Sequence, residues 1–397
     1  MALRTLEQAG DLKGKRALVR VDFNVPMDGG QVADDTRLRA ALPTIRHLTA
    51  QGAKAILIAH FDRPKGKRVP QMSLSPVVTA LSGLVGRDVA FSHDCVGAET
   101  EADIRQVQDG GVILLENLRY HAGEEANDRA FAGQLAKLGD LYVDDAFSAA
   151  HRAHASTEAI AHLLPAYAGL AMQTELEHLE KALGRPERPV LGIVGGSKVS
   201  TKLDLLNNLV AKLDRLAIGG GMANTFLAAQ GVDVGASLCE HDLGETAREI
   251  IASAKAAGCE LLLPVDVVTA KVVQPNAPSA VRALDAIQAD DRILDAGPQT
   301  LKRLVEAMEA SSTLIWNGPL GVFEVPPFDK ATVEAARRAA SLARDGKLVA
   351  VAGGGDTVAA LNAAGSTQDF TFVSTAGGAF LEWMEGKTLP GVAALTP

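Results

Sequence analysis

Val190-Leu191-Gly192-Ile193-Val194-Gly195-Gly196-Ser197-Lys198 passes from an apolar run to paired glycines and then to a cation. The apolar part reads as a buried strand. Glycines at its end allow backbone N–H groups to approach a ligand closely. The passage recurs three times: Arg215–Gly219 runs into Gly219-Gly220-Gly221-Met222, Thr313–Asn317 into Asn317-Gly318-Pro319-Leu320-Gly321, and Leu348–Ala352 into Gly353-Gly354-Gly355-Asp356. Each cluster opens a helix or tight turn, and a helix N-terminus favours phosphate. Four such strand ends in one half of a chain point to a nucleotide cleft. The cleft is of neither common kind. In Gly192 to Val199 a serine, Ser197, stands where a P-loop needs its second glycine, and Val199 follows the lysine; no G-x-G-x-x-G opens a helix after a strand.

Further apolar runs at Ala17–Val21, Ala55–His60, Val112–Glu116, Leu141–Asp145 and Leu261–Pro264 alternate with helix-period segments, the pattern of βαβ units around parallel sheets. With 397 residues the chain is expected to form two lobes rather than one long sheet. Met172, Leu176, Leu179 and Leu183 fall at helical spacing in a Glu-rich segment. Gly184 and the Arg185-Pro186-Glu187-Arg188-Pro189 stretch stop that helix. The expected division is a first lobe over 1–170, a connecting helix and linker over 171–188, and a nucleotide-binding lobe over 189–380.

Lys198 and Lys202, four residues apart, are expected on one face at the start of a helix Val199–Val210. Asp356 follows three glycines, the usual place of an N-cap, and near phosphates the same carboxylate suits Mg²⁺. Glu324 closes its glycine-containing stretch and suits ribose hydroxyls. The first lobe carries cations at its strand ends instead. Arg20-Val21-Asp22-Phe23-Asn24 places Asp22 and Asn24 on one side. Arg37 starts the next helix; His60 and Arg63, Arg119 and His121, and His151 and Arg152 follow successive strands. Arginine matches carboxylate and phosphate bidentately, so this repetition points to a small anionic ligand.

The net charge of −9 argues against nucleic-acid binding by bulk electrostatics. Residues 1–170 carry 19 Lys+Arg against 21 Asp+Glu and seven of the nine histidines, so the cations sit where the anion is expected. Cys95, Cys239 and Cys259 fit no metal spacing and suit a reducing compartment. Met1-Ala2-Leu3-Arg4-Thr5-Leu6-Glu7 has no signal pattern, and no apolar run reaches membrane-spanning length, so a cytoplasmic protein is expected.

At this point the chain resembles phosphoglycerate kinases from end to end. The likeness is carried, in order, by Arg20–Pro26, Leu114–Arg119, Asp145-Ala146-Phe147 with His151–Ser156, Lys198-Val199-Ser200 with Lys202, Gly219–Asn224, Trp316–Glu324 and Gly353–Thr357. The resemblance implies two Rossmann-like three-layer αβα lobes with parallel sheets, joined by an interdomain helix and hinge. A tail, 381–397, would return to the first lobe. It further implies reversible phosphoryl transfer between ATP and the carboxylate of 3-phosphoglycerate, with Mg²⁺ and ATP or ADP, in a monomer that binds neither nucleic acid nor membrane. Asp22, Phe23 and Asn24 would meet the acceptor's hydroxyl and carboxylate region. His60, Phe61, Asp62, Arg63, Arg119 and Arg152 would surround its non-reacting phosphate. Arg37 would face the phosphoryl in flight, with Lys198 and Lys202 at the nucleotide's terminal phosphates. Gly196, Gly220, Gly297, Asn317, Pro319, Gly354, Gly355 and Thr357 would line the nucleotide, with Glu324 at the ribose and Asp356 at the metal. The nucleophile is a carboxylate, ionised near neutral pH, so no general base is required.

The chain departs from the family pattern at several positions. Phe61-Asp62 stands in place of Leu-Gly, Ser148-Ala149 in place of Gly-Thr, Ser197 for an alanine and Ala376 for a glycine. A nucleotide-binding protein without turnover, and a kinase of another small carboxylate, are the alternative readings. The first would have been expected to lose Arg37, Lys202 or Asp356, and all three are present.

Overall fold

Strand Arg16–Arg20 is buried from its second residue on, and strands Val112–Leu115, Leu141–Asp144 and Val190–Val194 are buried throughout. Strands covered on both faces are those of parallel sheets sandwiched between helices. The computed structural model describes residues 3–396. Met1, Ala2 and Pro397, the ends of the expected first lobe and of its returning tail, lie outside the described residues.

The chain divides into two units, one of Met1–Leu176 with Thr388–Pro397 and one of Glu177–Lys387. In the first, a six-stranded parallel sheet runs in the order Val89–Ser92, Val112–Leu115, Lys54–Ile58, Arg16–Arg20, Leu141–Asp144, Ala166–Ala168. In the second, the order is Glu260–Leu262, Arg215–Ile218, Val190–Val194, Thr313–Asn317, Val349–Gly353, Phe372–Ser374, again all parallel. The second unit adds an antiparallel sheet of Ser279–Ala283, Asp266–Ala270 and Arg292–Ala296.

Each large sheet reverses its winding once, between Arg16–Arg20 and Leu141–Asp144 in the first unit and between Val190–Val194 and Thr313–Asn317 in the second. Ligands of open α/β sheets bind outside the carboxyl ends of strands at such points. Packing holds these ends in place. In the first unit Leu38, Ala41, Ile45 and Leu48 of helix Thr36–Ala50 pack into the core with Val19, Leu57 and Val143. In the second, helix Lys330–Arg344 presents Ala331, Ala335, Ala336, Ala339 and Ala340, whose methyl groups let it approach Trp316 and Ala350 closely.

Three local expectations change. The segment expected as one helix over Val199–Val210 is a 3₁₀ turn, Val199–Thr201, then helix Leu203–Val210. Lys202 lies between them with φ −134° and ψ 20°, so Lys198 and Lys202 share no helix face. The connecting helix Leu170–Leu179 ends in a π-helical turn, Glu180–Gly184. Residues 381–387, read with the returning tail, pack instead with the second unit, Asn208 Nδ2 donating to the Met384 carbonyl at 2.5 Å.

Candidate functional site

In the second unit the strand ends at the switch point touch. A Cβ on Gly318 (φ +107°) would stand 2.2 Å from the Gly195 carbonyl oxygen, and one on Gly195 1.8 Å from that of Pro319. Only glycine fits at this contact. Lys202 ties the two ends together: its Nζ donates to Gly195 O at 2.6 Å, Asn317 Oδ1 at 2.6 Å and Asn317 O at 3.2 Å. Burial pushes the ammonium down to about 8, against the opposing pull of Asp356. Asn317 is fixed in turn, its Nδ2 donating to Gly353 O at 2.9 Å, and Thr357 Oγ1 accepts from Gly318 N at 2.7 Å.

Two cavities open around this knot. One of about 340 Å³ is lined by Lys202, Asn317, Gly354, Gly355, Asp356 and Thr357, among others. Backbone amides, an ammonium and the start of helix Gly355–Ala363 make it a place for phosphate. The other, about 420 Å³, is bordered by Gly196, Gly220, Pro319, Glu324 and Asp356, and by the apolar Leu238 and Val273. Both apolar side chains are about half exposed (51% and 50%). An apolar cleft with a few polar groups suits a planar base. Asp356 lines both cavities. The N-cap expected there is Gly354, and the exposed Asp356 carboxylate has no hydrogen-bond partner among the described residues, which leaves it for a ligand. Two expected residues are not brought in. Lys198 is exposed and lines neither cavity. Gly297 caps helix Pro298–Glu309 and packs on Asp266, since a Cβ there would lie 2.3 Å from that carboxyl carbon.

In the first unit the Asp145 amide bonds Arg20 O at 2.9 Å at the switch point. Beyond it Phe23 and Val25 are buried while Asp22 and Asn24 are half-exposed, the alternation of extended chain. Asp22 Oδ1 accepts from Arg37 Nη1 and from Asn24 N, both at 3.1 Å; its Oδ2 accepts from Ser148 Oγ at 2.5 Å and lies 3.0 Å from the Arg37 guanidinium. Arg37 also donates to Asn24 O at 2.9 Å, and Asn24 Oδ1 accepts from Asp62 N at 2.9 Å. The buried Asn117 supports the far side, its Oδ1 accepting from the amides of Phe61 and Arg119 and its Nδ2 donating to Phe61 O and Met72 O. Arg119, 3% exposed, donates to Asp62 O at 2.8 Å and lies 3.2 Å from Glu125.

Burial, reinforced by the cations gathered here, holds two neighbouring histidines neutral. Burial and the charges of Arg119, Arg20 and Arg152 push His154 down to about 4. Burial and the same three arginines, with Arg20 first among them, drive His60 well below the ordinary value. A site that discharges its own histidines is a site for an anion. Arg63 is exposed and makes no hydrogen bond or ion pair among the described residues. Arg152 is half-buried with Nε 3.1 Å from His151 Nε2. His121 turns to Asp94 (2.7 Å) and stacks on Phe131. Cys95, Asp94 and His121 come within metal-ligating distance of one another, a proximity invisible in cysteine spacing, but Arg68 already pairs with Asp94 at 3.2 Å.

Two acceptor-site expectations need correction. The Phe23 side chain is fully buried in the core. Phe61 is 9% exposed and has both its amide and its carbonyl occupied by Asn117. Sequence reasoning missed Leu238, Val273 and the first four residues of strand Arg292–Ala296 at the larger cavity, and Asn117 and Ser148 in the first unit. Ser148 carried a signal, as a departure from the family pattern, and Asn117 stood inside the family-like stretch Leu114–Arg119; the others carried none.

One unit that offers backbone amides and a lysine to phosphates, and another that offers guanidinium groups to a smaller anion, are the parts of a phosphotransferase. The chain belongs to the phosphoglycerate kinase family, whose model, described as Phosphoglycerate kinase, matches residues 6–387. It is 73% identical over 395 residues to the phosphoglycerate kinase of Caulobacter vibrioides and 61% identical over 395 residues to that of Zymomonas mobilis, covering 100% of both chains in each case. Among solved structures, the phosphoglycerate kinase from Coxiella burnetii is 39% identical and superposes with a TM-score of 0.92 over 99% of each chain. That from Pyrococcus horikoshii is 29% identical, with a TM-score of 0.81 over 99% of this chain and 98% of its own.

Proposed function

We propose that the chain is a phosphoglycerate kinase that moves a phosphoryl group reversibly between ATP and the carboxylate of 3-phosphoglycerate, giving ADP and 1,3-bisphosphoglycerate, in glycolysis. The observation that carries this reading is the Lys202–Gly195–Asn317 knot at the mouth of a glycine-walled cavity. In the proposal the base lies in the larger cavity with Glu324 at the ribose, and the phosphates meet Gly354, Gly355, Thr357 and Lys202. Asp22 and Asn24 take the acceptor's hydroxyl and carboxylate region. His60, Arg63, Arg119 and Arg152 take its phosphate, and Arg37 faces the reacting carboxyl. Transfer is in line after closure at the connecting hinge, which excludes water.

The Asp356 carboxylate fits Mg²⁺, an ion held by one or two carboxylates with phosphate and water rather than by an all-protein cage. When bound, the ion would neutralise phosphate charge. The chain's own groups align the reactants, and the carboxylate nucleophile needs no base. Cytoplasmic location and a monomeric state belong to the same proposal, and sedimentation tests the latter. No described helix is long and apolar enough to cross a membrane.

A coupled assay with ATP, Mg²⁺ and 3-phosphoglycerate is expected to show turnover, and its absence would overturn the reading. Asp356→Asn is expected to lower turnover by about 100-fold and to raise the Mg²⁺ concentration needed for half-maximal rate. Asp62 sits at φ +51° beside Arg63, its carboxylate without a hydrogen bond or ion pair among the described residues. Asp62→Gly removes both a left-handed non-glycine residue and an uncompensated negative charge from the anion site. The KM for 3-phosphoglycerate is expected to fall by roughly three-fold or more; an unchanged or higher KM would make Asp62 a bystander.

A further inference from the structure

Behind the arginines of the first unit runs a line of buried polar side chains that the functional reading leaves without a role. Glu124 is fully buried; its Oε1 accepts from Ser156 Oγ at 2.6 Å and its Oε2 from Ser156 N at 3.0 Å. The same hydroxyl oxygen accepts from Arg20 Nε at 3.0 Å. Arg20, 1% exposed, donates from Nη1 to Val21 O at 2.6 Å and brings Nη2 within 2.9 Å of His60 Nδ1. One buried carboxylate therefore faces one buried guanidinium through a single hydroxyl, so neither charge is left uncompensated.

The last contact decides the state of the imidazole. A guanidinium carries only N–H donors and keeps its proton, so His60 Nδ1 has to accept. A neutral ring that accepts at Nδ1 carries its proton on Nε2. The imidazolium would set two donors face to face. It would also meet positive charge from the neighbouring elements: Arg20 from the strand Arg16–Arg20, Arg119 from the turn after Val112–Leu115, and Arg152 from the loop after Leu141–Asp144, where the neutral His154 also faces it. Nε2 has no partner among the described residues. It is not among the polar atoms sealed from solvent without one either, so it faces outward.

We infer that Arg20 is a positioning residue that fixes His60 as its neutral Nε2–H tautomer, so that the ring offers a phosphate a donor and never an acceptor, while Glu124 holds Arg20 through Ser156. The inference rests on the acceptor-site reading given above. A neutral donor has a use that a charged histidine lacks: it keeps its grip on the anion as pH rises through the ordinary histidine range.

Long-range ¹H–¹⁵N correlation spectra of the full chain labelled at histidine test this. His60 is expected to show a proton on Nε2 and none on Nδ1, with no change as pH falls through the ordinary histidine range, and 3-phosphoglycerate is expected to shift the Nε2–H signal. Arg20→Met is expected to free Nδ1 to take the proton, so that both neutral tautomers appear in the spectrum, while burial, Arg119 and Arg152 still disfavour the imidazolium. The variant should also raise the KM for 3-phosphoglycerate about 10-fold, by proportionately more than kcat falls. Glu124→Gln, which keeps shape and removes the counter-charge, is expected to move KM in the same direction by less. A proton on Nδ1 in the unmodified protein, ordinary titration of His60, or an unchanged KM in Arg20→Met would each overturn the inference. If Arg20→Met does not fold, the tautomer in the unmodified protein decides. An Nε2–H ring in a protein that neither turns over ATP with 3-phosphoglycerate nor responds to the acceptor would overturn the acceptor-site reading, and the positioning role with it.

Discussion

Lys202→Ala is expected to lower kcat by at least about 100-fold in the coupled assay, the loss typical of removing charge stabilisation from a transferring group. Three protein oxygens hold the Nζ, so all three of its N–H donors are engaged, and the amine is pre-aimed at the seam between two strand ends. In the proposed binding mode a phosphate oxygen entering the smaller cavity would replace one of those acceptors and stabilise the charge that burial disfavours. With the amine pushed down to about 8, nucleotide affinity is expected to decline as pH rises above that value, and the decline should vanish in the variant. Stability follows the opposite course. The unfolded lysine holds its proton to about 10.4, so between about 8 and that value the native state binds fewer protons. This group therefore makes the protein more stable as pH rises through that window, by up to about 3 kcal/mol, and least stable below it. Thermal unfolding at pH 7 and pH 10 should show the protein gaining on a Lys202→Met variant at the higher pH. Near-full turnover in Lys202→Ala would end the assigned role.

Arg37→Ala is expected to cost a similar factor, at least about 100-fold in kcat. Its guanidinium bridges Asp22 and the Asn24 carbonyl from the start of helix Thr36–Ala50, so its removal takes away a cation and unlocks the Asp22 carboxylate together. Arg37→Lys should recover only part of the rate, because an ammonium can take the place of Nη1 at Asp22 and the Asn24 carbonyl but leaves no second nitrogen to donate to the transferring group. A variant that loses affinity for 3-phosphoglycerate while keeping kcat would instead make Arg37 a binding residue.

Much of the fold is legible in the amino-acid sequence. The apolar runs marked the central strands because strands covered on both faces leave no alternation to misread. The glycine clusters marked the strand ends that wall the two cavities, because the close approach of Gly195 and Gly318 admits nothing larger. The antiparallel sheet was not legible. Strand Ser279–Ala283 is exposed or half-exposed along its length and carries little apolar signal. The break at Lys202 was hidden because four-residue spacing satisfies a helix, whereas the backbone there bends so that the amine can reach inward. Motif membership said nothing about sidedness either. Phe23 lies between two site residues and points the other way, as alternation along extended chain requires. Glu124 and Ser156 stand 32 positions apart, and only folding brings them together.

The first unit is stitched from both extremities of the described chain. The Arg4 amide bonds the Leu395 carbonyl at 3.2 Å, and the Gly391 amide bonds Ala150 O at 2.9 Å. The second unit is one uninterrupted stretch. Synthesis therefore leaves the half begun first incomplete until residues 388–397 have been added, after the whole of the second unit has been made.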